Sequence, residues 1–336
     1  MSRSLKLITL VLGMLLLSAA TSCAEEPSAA DILKQSYAAE SLSAFSGRLR
    51  TTLLFGNGSL SSNVIVFRNG RRSRMEYATG PSVGSVIIDD GSSVITLDPP
   101  AKTAYVSGTP EAPEHLDLLL ANYRPAITGW GKIAGRTCYV VRLEPRYKGN
   151  PSKKLWIDKT SMVALKTERY DSDGKLATST EYTTIDFSIR PSSSLFTIPR
   201  GWKSVRLAGE SSYDSPDAVR KAVGFAPLKP GYVPRGYSFD GYYIRETRAT
   251  VRFAGLRYTN GLNTISVFER KGPCPGFGRG RGRGARHQGR GAGAGSCLLA
   301  EDPQARMLST NVGDLAVIVV GDISETELKK MAGSLK

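Results

Sequence analysis

Val163–Phe187 reads VALKTERYDSDGKLATSTEYTTIDF, and this stretch decides the fold class. Its two runs, Val163–Tyr170 and Lys175–Phe187, are rich in the β-branched and aromatic residues that suit a pleated surface. Asp173-Gly174 stands between them, and such a dipeptide tolerates the positive φ that a tight hairpin turn demands. Two consecutive antiparallel strands follow. The same punctuation recurs upstream: Asn69-Gly70 joins Val64–Arg68 to Arg71–Tyr77, and Asp90-Gly91 joins Val86–Asp89 to Ser93–Leu97. Thr137-Cys138-Tyr139-Val140-Val141 reads as a further apolar strand, while long helical periodicity is scarce. The chain is therefore α+β and mostly antiparallel.

Helices are few and signalled by caps. Ser28-Ala29-Ala30-Asp31 opens one that runs to about Leu42, with Ile32, Leu33, Tyr37 and Ala38 on its apolar stripe. A second covers His115 to Tyr123, and the first unit ends near Phe196-Thr197-Ile198-Pro199. At 336 residues the chain suits two domains. Composition places a signal peptide over 1–24, a first domain over 25–202, a polar linker over 203–215 and a β-rich second domain over 216–336. In the second domain Asp217–Val223 is a short helix and Pro227–Pro234 is extended. Strands are expected at Tyr242–Thr247, Val251–Tyr258, Leu262–Arg270 (entered through Asn260-Gly261), Arg306–Thr310 and Leu315–Val320. Ser324 and Glu327 cap a last helix that presents Leu328, Met331 and Leu335.

Arg3 and Lys6, the apolar run Leu7–Leu17 and the small residues that follow form a secretory signal. The run is shorter than the roughly 20 residues of a membrane span. Two readings of its end stay open: cleavage after Ala24, or acylation of Cys23 in the lipobox-like Ala20-Thr21-Ser22-Cys23, which would attach the chain to a membrane. Export puts the other cysteines in an oxidising compartment. Cys274 and Cys297 flank one loop and are the natural disulfide, worth about 3 kcal/mol by loop closure. Cys138 reads as a buried thiol. His115 and His287 are the only histidines and no CxxC is present, so neither a metal nor another cofactor is expected.

The formal charge is +15, and residues 203–336 carry 21 basic against 12 acidic groups, so the second half favours anionic partners. Gly276–Gly295 holds Arg279, Arg281, Arg283, Arg286 and Arg290 among glycines and reads as a loop without a core. It is a candidate for anionic surfaces such as lipopolysaccharide or phospholipid headgroups, or a tolerated hairpin insertion with no ligand; export argues against nucleic acid. Gly80-Pro81-Ser82-Val83-Gly84 matches G-x-S-x-G, but strands flank it on both sides where a nucleophile elbow needs strand, turn and helix, so it reads as a plain turn. The carboxylates at Asp89, Asp90, Asp98, Asp171 and Asp173 sit at turns or strand ends. Nothing reads as a catalytic constellation, and the chain is expected not to be an enzyme.

Lys154-Leu155-Trp156-Ile157-Asp158-Lys159, Ala164-Leu165-Lys166-Thr167-Glu168 and Asp171-Ser172-Asp173-Gly174-Lys175 together resemble the signature of the MucB/RseB family of periplasmic sigma-E regulators. Asp98–Val106 and Leu195–Pro199 resemble stretches of the wider LolA-like lipoprotein-carrier superfamily. Pro230–Tyr237 and Tyr258–Phe268 look like the family's C-terminal domain. The Arg-Gly segment is a departure from the family pattern. The resemblance implies a LolA-like open half-barrel wrapped over helices, followed by a smaller sheet-and-helix domain. It further implies a periplasmic protein that binds the periplasmic part of an anti-sigma factor, restrains envelope-stress sigma-factor activation and senses lipid. A lipid or lipoprotein carrier is the alternative.

From the residues themselves, Val64-Ile65-Val66-Phe67 and Val86-Ile87-Ile88 are apolar on both faces, so both sides of the sheet must be covered. A solid core or an inner cavity would each do this. In the second case Leu53, Val64, Val66, Ile88, Ile95 and Leu118 are the candidate lining for an acyl chain or apolar peptide.

Overall fold

The first helix starts where its cap requires. The Ser28 hydroxyl accepts from the Asp31 backbone N–H at 3.1 Å and donates to the Asp31 carboxylate, satisfying groups that a helix N-terminus leaves open. That helix, α1 (Ala29–Leu42), buries Ile32 and Leu33 completely. The computed structural model describes residues 26–56, 58–108, 115–207, 209–246, 251–272 and 305–336. The signal segment with Cys23, the Gly276–Gly295 loop, and Cys274 and Cys297 beside it lie outside the described residues.

After α1 the chain runs through β1 (Ala44–Phe55), β2 (Gly58–Asn69), β3 (Arg72–Tyr77), β4 (Val86–Asp89), β5 (Ser93–Asp98) and β6 (Thr103–Gly108). Helix α2 (Leu116–Asn122) leads into β7 (Tyr123–Ile133), β8 (Arg136–Pro145), β9 (Ser152–Asp158), β10 (Ala164–Tyr170), β11 (Leu176–Asp186) and β12 (Lys203–Arg206). These strands form one sheet in the order β12-β6-β5-β4-β3-β2-β1-β11-β10-β9-β8-β7. It is antiparallel throughout except for the parallel β6–β12 pair. The sheet curls over its helices. Ile32 and Leu33 of α1 and Leu119 of α2 pack with Val141, Leu143, Leu155 and Ile157, while Ala39 of α1 touches the cluster of Phe45, Val64 and Val66 on the other limb. One helix meeting both limbs is the open half-barrel that the sequence led us to expect.

The hairpins turn where the glycines stand. The Asp171 carboxylate accepts from the N–H groups of Asp173 and Lys175, both at 2.9 Å, and Gly174 takes φ +77°. Ser82 lies on an exposed turn between β3 and β4, with strand on both sides.

The second domain comprises β13 (Glu210–Tyr213), α3 (Pro216–Val223), β14 (Ser238–Glu246), β15 (Arg252–Thr259), β16 (Thr264–Lys271), β17 (Arg306–Val312), β18 (Leu315–Gly321) and α4 (Glu325–Gly333). Its sheet has the order β13-β14-β15-β16-β18-β17. Val219 of α3 and Leu328 and Met331 of α4 cover one face with Leu256, Val267 and Val319, and Tyr243, Phe253, Phe268 and Ile318 form a cluster of their own.

The 203–215 stretch, read as a polar linker, is different in the structure. It holds two edge strands: β12 pairs with β6 in the first sheet and β13 with β14 in the second. Its alternating serines gave no apolar signal because an edge strand has a solvated side; only pairing with a distant partner makes it a strand.

Glu269 of β16 is fully buried on the side chain, and both its oxygens accept from the Leu228 N–H, at 3.1 and 2.9 Å. Burial pushes its carboxyl up to about 8, with the Leu228 N–H opposing that rise. The folded state therefore holds a proton that the unfolded chain releases near 4.5, so stability falls as pH rises from about 4.5 to 8, by up to roughly 1.4 kcal/mol per pH unit. Glu269→Gln keeps an acceptor for Leu228 and removes the charge. Thermal melts from pH 5 to 9 should show a shallower decline for this variant and a higher melting temperature than wild type at pH 9; parallel profiles would refute the assignment.

Candidate functional site

The two domains meet through a turn set on a helix. The hairpin turn Thr259–Asn263 between β15 and β16 is shaped internally: the Asn260 side-chain oxygen accepts from the N–H groups of Leu262 and Asn263, at 3.0 and 2.8 Å. Its tip, Gly261, takes φ +89° and lies against α2, where a Cβ would stand 2.3 Å from the Leu119 nitrogen. Only glycine allows this approach. Below the tip, the Tyr123 hydroxyl accepts from the amides of Asn260 and Asn263, each at 3.1 Å. Burial pushes the Tyr123 hydroxyl up to about 12, so it stays neutral there. The Asn122 amide donates to the carbonyls of Gly236 and Asn260 at 2.8 and 3.1 Å.

Polar ties flank this contact. Arg169 of β10 pairs with Asp322 at 3.2 Å, and His115 at the start of α2 meets Asp240 at 3.0 Å. Arg306 reaches back to the Ser172 hydroxyl at 2.6 Å and the Asp173 carboxylate at 3.0 Å. The Asp-x-Asp-Gly turn of the first domain is thus a docking point for the second.

Between these ties lies a cleft of ≈ 510 Å³. Ser152, Lys153 and Arg169 line it from β9 and β10; Glu210, Arg245 and Arg257 line it from the second domain. Arg257 and Arg245 both turn to Glu210, the latter at 3.8 Å. Hydroxyl and amide groups of Thr259, Asn263, Thr264 and Ser266 complete a polar wall. Such a surface suits charged and hydrogen-bonding ligands.

The residues expected to line a cavity fall in separate places. Val64 and Val66 are packed with Phe45, Cys138 and Leu165, whereas Ile88 and Ile95 belong to a separate cluster with Leu97, Ala104 and Phe196. Leu53 is half-buried on β1 and Leu118 half-buried on α2. The apolar pattern that suggested a lining serves dense packing here. Cys138 is a free buried thiol pushed up to about 11 by desolvation and the nearby Asp158 charge. Cys23, Cys274 and Cys297, and the five arginines Arg279, Arg281, Arg283, Arg286 and Arg290, lie outside the described residues.

The Trp-Ile-Asp-Lys motif is a corner. Asp158 accepts from Arg136 at 2.8 Å and from the Ser161 N–H and hydroxyl at 2.8 and 2.7 Å; despite its burial, these donors hold its carboxyl below the usual range. Lys159 lies over the rings of Trp130 and Tyr139 at 3.8 and 4.5 Å. The cleft residues Lys153 and Arg169 were not singled out by sequence. The available signal was a lysine at position 153, in step with the apolar Leu155 and Ile157.

Residues 66–199 match the family described as the MucB/RseB N-terminal domain. Over this stretch the first domain is similar to the MucB/RseB family. Solved MucB structures extend the likeness across both domains. MucB from Pseudomonas aeruginosa in the MucA/MucB complex is 17% identical with a TM-score of 0.59, covering 92% of this chain and 98% of that one. A crystal structure of MucB with MucA(peri) is 16% identical with a TM-score of 0.61 and the same coverage of 92% and 98%. MucB alone is 17% identical with a TM-score of 0.54, covering 91% and 97%. At these identities the likeness shows the fold. No curated protein matches the chain in sequence.

In this MucB/RseB-type arrangement Gly261 carries two burdens, a left-handed backbone and a contact with α2. Gly174 carries only the first, with nothing within 4 Å of an added Cβ. Gly174→Ala should therefore cost about 1 kcal/mol. Gly261→Ala should cost at least about 2 kcal/mol more, as steric overlap with a backbone adds to strain. Urea melts of both variants check the difference, and small-angle scattering should show a larger radius of gyration for Gly261→Ala alone.

Proposed function

We propose that this chain is a periplasmic, non-catalytic regulatory protein that binds the periplasmic part of an anti-sigma factor and thereby restrains envelope-stress sigma-factor activation. The observation that carries the reading is the likeness to MucB as it stands with MucA, which runs through both domains over 92% of the chain and adds to the family match of residues 66–199. The inter-domain cleft supports it, because a groove that combines charges of both signs with apolar patches at Leu262 and Val320 suits a peptide segment. The signal-like N-terminus is consistent with export, and among the described residues no helix is long and apolar enough to cross a membrane. Lipid sensing, contact of the Arg-Gly segment with anionic headgroups, a Cys274–Cys297 bridge, and either cleavage after Ala24 or acylation of Cys23 belong to the same proposal.

A carrier of lipid or lipoprotein would need an apolar hollow. Val64, Val66, Ile88 and Ile95 are instead occupied in packed clusters, which favours the regulator. Titration of the mature chain with the periplasmic segment of an anti-sigma factor encoded beside it should give a stoichiometric complex by calorimetry and size exclusion. Native mass spectrometry should show no stoichiometric acyl lipid. A chain that ignores the segment and carries one lipid per molecule would transfer the assignment to a carrier.

A further inference from the structure

Lys153 and Arg169 stand directly opposite one another in the β9–β10 register. Lys153 lies in step with Leu155 and Ile157, the residues that pack against α1, so the pair sits at the mouth of the curled face where the second domain closes over it. Like charges in directly opposed strand positions repel, and the arrangement is stabilised only when each cation has an anion. Arg169 has Asp322. Lys153 has no equivalent: among the described residues its ammonium makes neither an ion pair nor a hydrogen bond, and Asp322 is engaged by its neighbour. The arginines Arg257 and Arg245 of the cleft are committed to Glu210, and the Asp240 carboxylate is hydrogen-bonded to the His115 ring. Burial pushes the Lys153 ammonium below the usual lysine range; Glu40 of α1 opposes this from a distance and Arg169 adds to it.

A half-buried lysine beside an arginine, opening on a cleft of ≈ 510 Å³, is a recognition point for an oxyanion. Its neighbours choose among oxyanions. Glu210, Asp240 and Asp322 line the same cleft and would repel a doubly charged phosphate more than a single carboxylate. Thr264, Ser266 and Asn263 offer partners to a peptide backbone rather than walls for an acyl chain. We infer that the inter-domain cleft takes an acidic side chain of a bound peptide segment, with Lys153 and Arg169 as its anchor. The inference rests on the reading of this chain as a partner-binding regulator and names what that partner must present.

The test uses the mature full chain and two short probes, acetyl-(Glu)4-amide and acetyl-(Gln)4-amide, titrated calorimetrically in low salt. The acidic peptide should bind at least tenfold more tightly than its amide analogue. Lys153→Met should weaken it at least tenfold, while Lys175→Met, at an exposed turn, should leave it unchanged. Lys153→Met should melt at or above the wild-type temperature, because a poorly paired, desolvated charge is removed; a clear drop would make Lys153 a structural residue and overturn the inference. Equal binding by Lys153→Met, or by the glutamine peptide, would also overturn it. Inorganic phosphate that binds through Lys153 and displaces the acidic peptide would reassign the cleft to a phosphate headgroup. If the acidic peptide binds through Lys153 but the anti-sigma segment does not bind at all, the regulator reading falls and the cleft assignment stands. If the segment binds equally to wild type and Lys153→Met, the cleft assignment alone falls.

Discussion

The relation of the two domains depends on a buried tyrosine hydroxyl. Tyr123 begins β7, next to α2, and its oxygen is reached by two asparagine amides from a hairpin about 140 residues later in the chain. A hydroxyl buried without a partner costs a few kcal/mol, so once the hairpin is withdrawn the first domain is left with an unsatisfied group unless water enters. The turn itself fits because Gly261 has no side chain to meet α2. Every other inter-domain tie follows from this seat. It brings Asp322 to Arg169, Asp240 to His115 and Arg306 to the Asp173 turn, and the spacing between those contacts is the cleft.

Apart from the buried Tyr123 bonds and Leu262, which packs into the first domain's core, these contacts are partly exposed ion pairs and individually modest. Partly exposed ion pairs contribute little, since solvent screens them and long side chains lose freedom in forming them. An interface built this way defines an orientation more than it supplies stability. That suits the proposed regulator, whose partner would bridge two bodies. A ligand that fills the cleft adds contacts to both domains at once, while a competing ligand that moves one domain weakens both sets together.

Much of the fold was legible in the sequence. Asn-Gly and Asp-Gly pairs mark local turns, and Ser28 and Ser324 mark helix starts through bonds made within three residues. Such signals depend on near neighbours and survive without tertiary knowledge. The edge strands β12 and β13 were missed because their pairing partners lie far away in the chain. The candidate cavity lining is of a related kind: an apolar alternation shows that Val64 or Ile95 is covered, but not whether by protein or by ligand. The cleft was hidden too, since Lys153 acquires its meaning from Arg169 across the sheet and from residues of the other domain. Asn260-Gly261 was readable as a turn, yet its role as the seat between domains required α2 to be in place.

The parallel pairing of β12 with β6 sets when the first sheet can be finished. Lys203 aligns with Thr103, so this outermost strand is supplied by chain that lies beyond the composition boundary at 202. A fragment ending at that boundary leaves β6 with a bare row of backbone donors and acceptors, which invites association with a second copy. The same applies to any chain made N-terminus first. Until residue 206 has emerged, the β6 edge is unprotected, and late closure by a distant segment is slow compared with the local hairpins that precede it. The short strand thus acts as a stopper on a growing edge, and a copy in which it pairs late stays open to association with another.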